Sequence, residues 1–181
     1  MSGDRYHIID QQATYFVTFT VVEWVDIFSR KDYKLAIVDS LNYCIAHKGL
    51  ECFAWVIMSN HIHLIVRATQ PAKLSDIIRD FKKFTSKKIV ELIETINESR
   101  REWLLHKFAF IAHATGRAEN YKVWTDDNHA VCLEGNMFNE RLHYIHQNPV
   151  RQMIVAKAED YLFSSAYDYS GQKGLVHVTV V

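Results

Sequence analysis

Glu51-Cys52-Phe53-Ala54-Trp55-Val56-Ile57-Met58, then Ser59-Asn60, then His61-Ile62-His63-Leu64-Ile65-Val66-Arg67-Ala68 make two strand-like runs separated by two residues, the size of a tight hairpin connection. Upstream, residues 14–22 (Thr-Tyr-Phe-Val-Thr-Phe-Thr-Val-Val) alternate aromatic or β-branched residues with threonine, which predicts a half-buried strand. Between these, residues 31–48 carry Leu35, Val38, Leu41 and Ile45 in steps of three and four and end near Gly49, a helix with a glycine stop. Pro71 closes the hairpin. From Lys73 to Ile96 the spacing of Leu74, Ile77, Ile78, Phe81, Phe84, Ile89, Leu92 and Ile93 predicts a long amphipathic helix. Residues 107–114 and 121–134 are less regular and read as short strands and loops, and a final helix fits 136–147, with Pro149 barring it from running much further. The order β-α-β-β-α-β-α predicts an α+β fold: a ferredoxin-like split βαβ, its antiparallel sheet packed by helices.

Composition bounds the function. A chain of 181 residues, 49% hydrophobic and 23% charged, fits one globular domain with a real core. Lys plus Arg equals Asp plus Glu at 21 each, which excludes nucleic-acid binding by bulk charge alone while leaving room for a local basic stripe. Cys44, Cys52 and Cys132 are odd in number and widely spaced, so neither a disulfide scaffold nor a cysteine zinc site is read from them. The opening Met-Ser-Gly-Asp-Arg-Tyr has no signal-like apolar stretch, and no apolar run approaches the ~20 residues needed to cross a bilayer. A reduced, cytoplasmic setting without a membrane partner is expected. The phosphate-cradling G-x-x-x-x-G-K-[ST] loop and the G-x-G-x-x-G dinucleotide fingerprint are both missing, and no carboxylate triad gathers at strand ends.

Three features carry chemistry. On a strand, residues i and i+2 point to one face, so His61 and His63 sit side by side while Ile62, Leu64 and Val66 face the other way. Two imidazoles at that spacing can grip one metal ion, or simply line a solvated sheet face. Second, Tyr144 and Asn148 lie four apart at the end of the last helix, in Tyr144-Ile145-His146-Gln147-Asn148-Pro149-Val150-Arg151, and share a face. Tyrosine can be a covalent nucleophile, but a phenol's ordinary pKa of about 10 leaves little phenolate at neutral pH, so a neighbouring cation or base is required. Asn148 offers a hard amide oxygen suited to magnesium or manganese; a helix end before Pro149 is its plain alternative. His143 and His146 could instead join His61 and His63 in a four-histidine zinc site. Third, Arg79 to Lys88 sets five basic residues against one acid, a patch that could track a phosphate backbone or be an ordinary solvated helix face.

With these features in hand the chain resembles the single-tyrosine HUH transposases of bacterial insertion sequences, nearest the REP-associated tyrosine transposase branch. The resemblance rests on Met58-Ser59-Asn60-His61-Ile62-His63-Leu64-Ile65-Val66, on Leu74 to Lys88, on Val123-Trp124, on Tyr144 to Arg151 and on Tyr161-Leu162-Phe163-Ser164-Ser165-Ala166. Together these span about residues 6–169 in the family's order, leaving a short tail at 170–181 of a single domain. The resemblance implies that His61, His63 and Asn148 hold a divalent ion, Mg or Mn. It implies that Tyr144 attacks a phosphate of single-stranded DNA, giving a 5′-phosphotyrosine and a free 3′-hydroxyl that a different 3′-hydroxyl can replace. The partners implied are a DNA hairpin or imperfect palindrome and a second copy of the chain. Lys82, Lys83, Lys87 and Lys88 are candidates for backbone contact by charge. A relative that binds hairpins without cleaving them is the alternative in the same fold.

Overall fold

The structure of the protein is a computed structural model that describes residues 7–116 and 118–181; the polar opening 1–6, which includes the Tyr6 that begins the resemblance, and Arg117 lie outside the described residues. The two apolar runs form strands β2 (Leu50–Ile57) and β3 (His61–Ala68). The Met58 N–H donates to the His61 carbonyl at 2.8 Å, which closes the two-residue turn at Ser59-Asn60. Strand β1 (Tyr15–Thr20) pairs antiparallel with β3, and the two-residue β4 (Val131–Cys132) pairs antiparallel with β1, giving the order β2-β3-β1-β4. Helix α1 (Lys31–His47) connects β1 to β2, and α2 (Leu74–Thr95) follows β3. This is the expected α+β, split βαβ arrangement.

Both faces of the sheet are covered, which explains why β2 reads as a nearly unbroken apolar run. On one face Val17, Phe19, Trp55, Ile57, Ile62 and Leu64 pack with Ile37 and Leu41 of α1 and with Ile77, Phe81 and Ile89 of α2. The other face gathers Phe16, Phe53, Ala54, Val56 and Ile65. A bulge at Phe53 sets this division: Cys52 opposes Val66 but Ala54 opposes Ile65, so the side-chain phase of β2 reverses there. Helix α4 (Met137–Arg151) lies on that second face through Phe138, Leu142 and Ile145.

Two sequence expectations are corrected. Residues 107–114 are helical, inside α3 (Arg101–Thr115), rather than strand and loop. Leu104, Phe108 and Ala112 bury one face of α3 at four-residue spacing, yet Trp103 and Phe110 are exposed, so apolar residues on both sides blur the helical period. Residues 121–134 are short strand and loop as expected: β4 is preceded by an extended run whose backbone bonds to β1 through Thr18 N–H to Asn128 O and Thr125 N–H to Thr20 O, both 2.9 Å. Helix α4 also runs beyond 147 to Arg151 with Pro149 inside its last turn, where the proline costs one intrahelical hydrogen bond near an end that the following bonds close. Gln152 N–H to Asn148 O (3.1 Å) and Ile154 N–H to Pro149 O (2.9 Å) close the end.

Glu98, in the connection between α2 and α3, ties that connection to the start of α1. Its buried carboxylate accepts from the Arg100 backbone N–H (3.0 Å) and the Tyr33 hydroxyl (2.9 Å) and pairs with the Arg30 guanidinium at 3.2 Å. Burial by itself would raise its pKa, but these donors and the Arg30 and Arg100 charges outweigh it and hold the carboxyl below its ordinary value. Replacing Glu98 by Gln is expected to lower stability by about 2–3 kcal/mol, read as a lower urea midpoint. The loss should shrink as the pH falls through the depressed native pKa of Glu98, where the wild-type carboxylate itself takes up a proton.

Candidate active site

The hairpin delivers two imidazoles to the face covered by α4. Thr20 stands opposite His61 and Thr18 opposite His63 across the β1–β3 pair. The Thr18 hydroxyl lies 2.8 Å from His63 Nδ1, and the Phe16 ring stacks on His63 with centroids 5.2 Å apart. His61 Nδ1 lies 2.6 Å from the Asn60 side-chain oxygen. An amide oxygen only accepts, so that Nδ1 carries the hydrogen and the His61 Nε2 presents a lone pair. Burial lowers the pKa of His61, and burial with the nearby His61 and Arg141 pushes His63 down to about 3, so both rings are neutral at neutral pH. The two rings are 4.7 Å apart.

Tyr144 reaches the same place from α4. Its ring sits 5.3 Å from His63 and 6.1 Å from Phe16, edge-on to both. Ile145, fully buried, anchors this stretch of α4 on the sheet, and His146 fixes its rotation: His146 Nε2 is 2.9 Å from the Ser165 hydroxyl, which accepts the Trp55 N–H at 3.0 Å. Burial, with His143 adding to it, lowers His146 to about 4, so it anchors the helix as a neutral ring. Arg141, Tyr144, Asn148 and Arg151 recur at steps of three, four and three along α4. The Arg151 guanidinium lies 5.1 Å from the Tyr144 ring centroid and that of Arg141 4.9 Å from Phe16. Neither arginine has an ion-pair partner among the described residues. Thr18, Phe16, Asn60 and these two arginines were missed in the sequence; the spacing along α4 was the one signal that could have found the arginines.

A divalent ion fits the donors present. His63 Nε2 is buried without a hydrogen-bond partner among the described residues, the position of a nitrogen that needs a ligand. The Thr18 and Asn60 oxygens at the opposite ring nitrogens are the kind of outer contacts that orient ligating histidines. Asn148, one helical turn past Tyr144, is buried, and its side-chain amide makes no hydrogen bond among the described residues. The four-histidine alternative does not form: no group of three or more His, Cys, Asp or Glu gathers at metal-holding spacing among the described residues. The reason is helical geometry, since His143 and His146 are rotated about 100° and 200° from Tyr144 around α4. His143 is exposed and His146 is engaged by Ser165.

The basic patch is less open than its sequence implies. Arg79 pairs with Asp76 and Asp80, and Lys88 with Glu91. Lys82 donates to Thr125 O and Asn128 Oδ1, both at 2.7 Å, and lies over the Phe19 ring. Lys83 and Lys87 are exposed and border two grooves, one of about 900 Å³ between α2 and residues 118–128 and one of about 670 Å³ between α1 and α2. Burial pushes the Lys82 ammonium from 10.5 down to about 8, partly opposed by Asp126 and reinforced by Lys122. Between those values the unfolded chain holds more protons than the folded one, so wild-type stability rises with pH there. Relative to a Lys82→Met chain, the wild type is expected to gain up to about 3 kcal/mol between pH 7 and pH 10, measured by urea unfolding at both.

Residues 11–148 match the protein family described as IS200-like transposases. Among solved structures the chain is similar to a REP-associated tyrosine transposase bound to a REP hairpin, at 18% identity and a TM-score of 0.64, covering 99% of this chain and 92% of that one. At that identity the likeness shows a shared fold. A looser likeness is to a candidate transposase from Deinococcus radiodurans R1, at 14% identity and a TM-score of 0.46, covering 80% of this chain and 95% of that one. No curated protein matches the chain. Among the described residues no helix is long and apolar enough to cross a membrane.

Proposed function

Because the chain belongs to the IS200-like transposase family, and is thereby a DNA-processing enzyme, we propose that it cleaves and rejoins single-stranded DNA through Tyr144. The reading rests on one juxtaposition, the Tyr144 ring 5.3 Å from His63 within a single chain. The Tyr144 oxygen attacks the scissile phosphorus, the P–Oη bond forms and the P–O3′ bond breaks. The phenol proton passes to solvent, and the departing 3′ oxygen takes a proton from solvent to leave as a hydroxyl. The 5′ end stays on the enzyme as a phosphotyrosine, so the bond energy is retained and a second 3′-hydroxyl can reverse the step without a nucleotide cofactor.

Arg141 and Arg151, flanking Tyr144 along α4, grip the phosphate oxygens and offset the charge that builds as phosphorus becomes five-coordinate. Phe16 holds His63 and Tyr144 apart at fixed angles. Thr18 and Asn60 hold the two imidazoles with Nε2 facing the reaction. A divalent ion, Mg or Mn, bound by His61, His63 and Asn148 would supply Lewis-acid polarisation of the scissile phosphate.

The substrate proposed is a hairpin-bearing single strand, as in the structurally similar REP-associated transposase. Lys83 and Lys87, with Lys82 and Lys88 behind them, face its backbone. One chain, acting as a single domain in the cytoplasm, carries every residue invoked. Pairing of two chains would therefore serve to hold two DNA ends together. The test is incubation of purified protein with end-labelled hairpin DNA and Mg²⁺ or Mn²⁺, followed by denaturation. A metal-dependent covalent adduct is expected; hairpin binding with no adduct under any divalent ion would leave a silent binder instead.

A further inference from the structure

Trp24 is the most exposed aromatic among the described residues, with 73% of its surface open to solvent. It sits in a short 3-10 turn, Val22–Trp24, where Glu23 and Trp24 both adopt left-handed backbone, φ 51° and 52°. Two consecutive non-glycine residues in that region are disfavoured, and the turn persists because its flanks are clamped. Val21 N–H donates to Asn60 O and Val22 N–H to Val123 O, both at 2.9 Å, and Val22, Val25, Ile27 and Phe28 are buried. Lys107 of α3 pairs with Glu23 and ties the turn to that helix. A clamped, strained turn that holds a large apolar ring outward gains nothing for folding; glycine or asparagine there would relieve the backbone and leave less apolar surface in water.

The turn abuts the candidate active site. The Asn60 side-chain amide donates to the Trp24 carbonyl at 3.3 Å, while its oxygen accepts from His61 Nδ1 at 2.6 Å. A single residue thus bridges the strained turn and a histidine of the site. We propose that the Trp24 indole is a stacking site for an unpaired nucleobase of the DNA strand where it passes His61. Stacking suits this position because every base has a π-face, so the contact holds a single strand in place without reading its sequence, and a paired duplex cannot use it. The inference rests on the single-strand reading above and extends it to a new contact.

The test uses the full-length protein and tryptophan fluorescence. A short oligothymidylate is expected to quench the wild type and to bind Trp24→Ala about tenfold more weakly, the size of one lost stacking contact. Trp103→Phe, which removes the other exposed indole, should behave as wild type. A fully paired hairpin without a single-stranded flank should bind wild type and Trp24→Ala equally. Trp24→Gly should weaken oligothymidylate binding in the same way while raising the melting temperature, since glycine adopts this backbone freely. If the wild type forms the covalent adduct but Trp24→Ala binds oligothymidylate with unchanged affinity, the stacking site is wrong and the strand-cleavage reading stands. Equal weakening of the paired hairpin would also overturn it, in favour of a general surface contact. A wild-type chain with no affinity for any single strand would overturn both.

Discussion

A Tyr144→Phe chain is expected to bind hairpin DNA as the wild type does and to form no covalent adduct, a loss on the order of 10⁴–10⁶-fold in cleavage. The substitution is unusually clean here. The Tyr144 ring is held by edge contacts to Phe16 and His63 and by the Arg151 guanidinium, all of which survive loss of the hydroxyl. That hydroxyl makes no hydrogen bond among the described residues, so stability should change by no more than about 0.5 kcal/mol. The contrast with other tyrosines sharpens the assignment. Tyr33 donates to Glu98, Tyr161 to Ile57 O and Tyr169 to Phe53 O, so their hydroxyls serve the fold. A denaturing gel with labelled hairpin DNA reads the result. An adduct that persists in Tyr144→Phe would assign the nucleophile elsewhere and end the proposed mechanism.

The hairpin and α2 were legible in the sequence because each obeys a short-range rule. Two apolar runs around a two-residue gap allow little but a hairpin, and the long run of apolar residues at helical spacing in α2 needs only one buried face. Where burial comes from two directions, the signal fails. Helix α3 carries exposed Trp103 and Phe110 opposite its buried Leu104 and Phe108, so its pattern averages out. The phase reversal at Phe53 is equally silent, since both neighbours of the bulge are apolar.

The candidate site divides the same way. Strand alternation by itself puts His61 and His63 on one face, and helical spacing aligns Tyr144 with Asn148. That Tyr144 lies beside His63 is a tertiary fact, set by the apolar face of α4 on the sheet and by His146 against Ser165. Local pattern could not supply it; the family resemblance suggested it. Charge counting by itself could not show that the Lys82 ammonium also donates to Thr125 and Asn128, a contact between distant segments.

His61→Ala should remove metal-dependent adduct formation by about 10²–10⁴-fold, the range that several kcal/mol of Lewis-acid stabilisation represents. It is the better probe of the two histidines. His63 is buried, stacked on Phe16 and bonded to Thr18, so its removal opens a cavity under Tyr144 and mixes folding with chemistry. His61 is only half-buried, and its loss frees the Asn60 oxygen to solvent at the turn. Mn²⁺ binding measured without DNA gives a readout independent of catalysis: His61→Ala should bind the ion far more weakly at an unchanged melting temperature. Thr18→Val, which removes the oxygen beside His63 Nδ1 while keeping the side chain's shape, should fall between the two, losing roughly 10–100-fold in ion affinity. Wild-type Mn²⁺ binding and adduct yield in His61→Ala would show that the paired imidazoles serve the sheet rather than an ion. The role proposed for Asn148 as the third donor would then fall with them, while Tyr144, whose test needs no assumption about the ion's ligands, would have to be judged on its own.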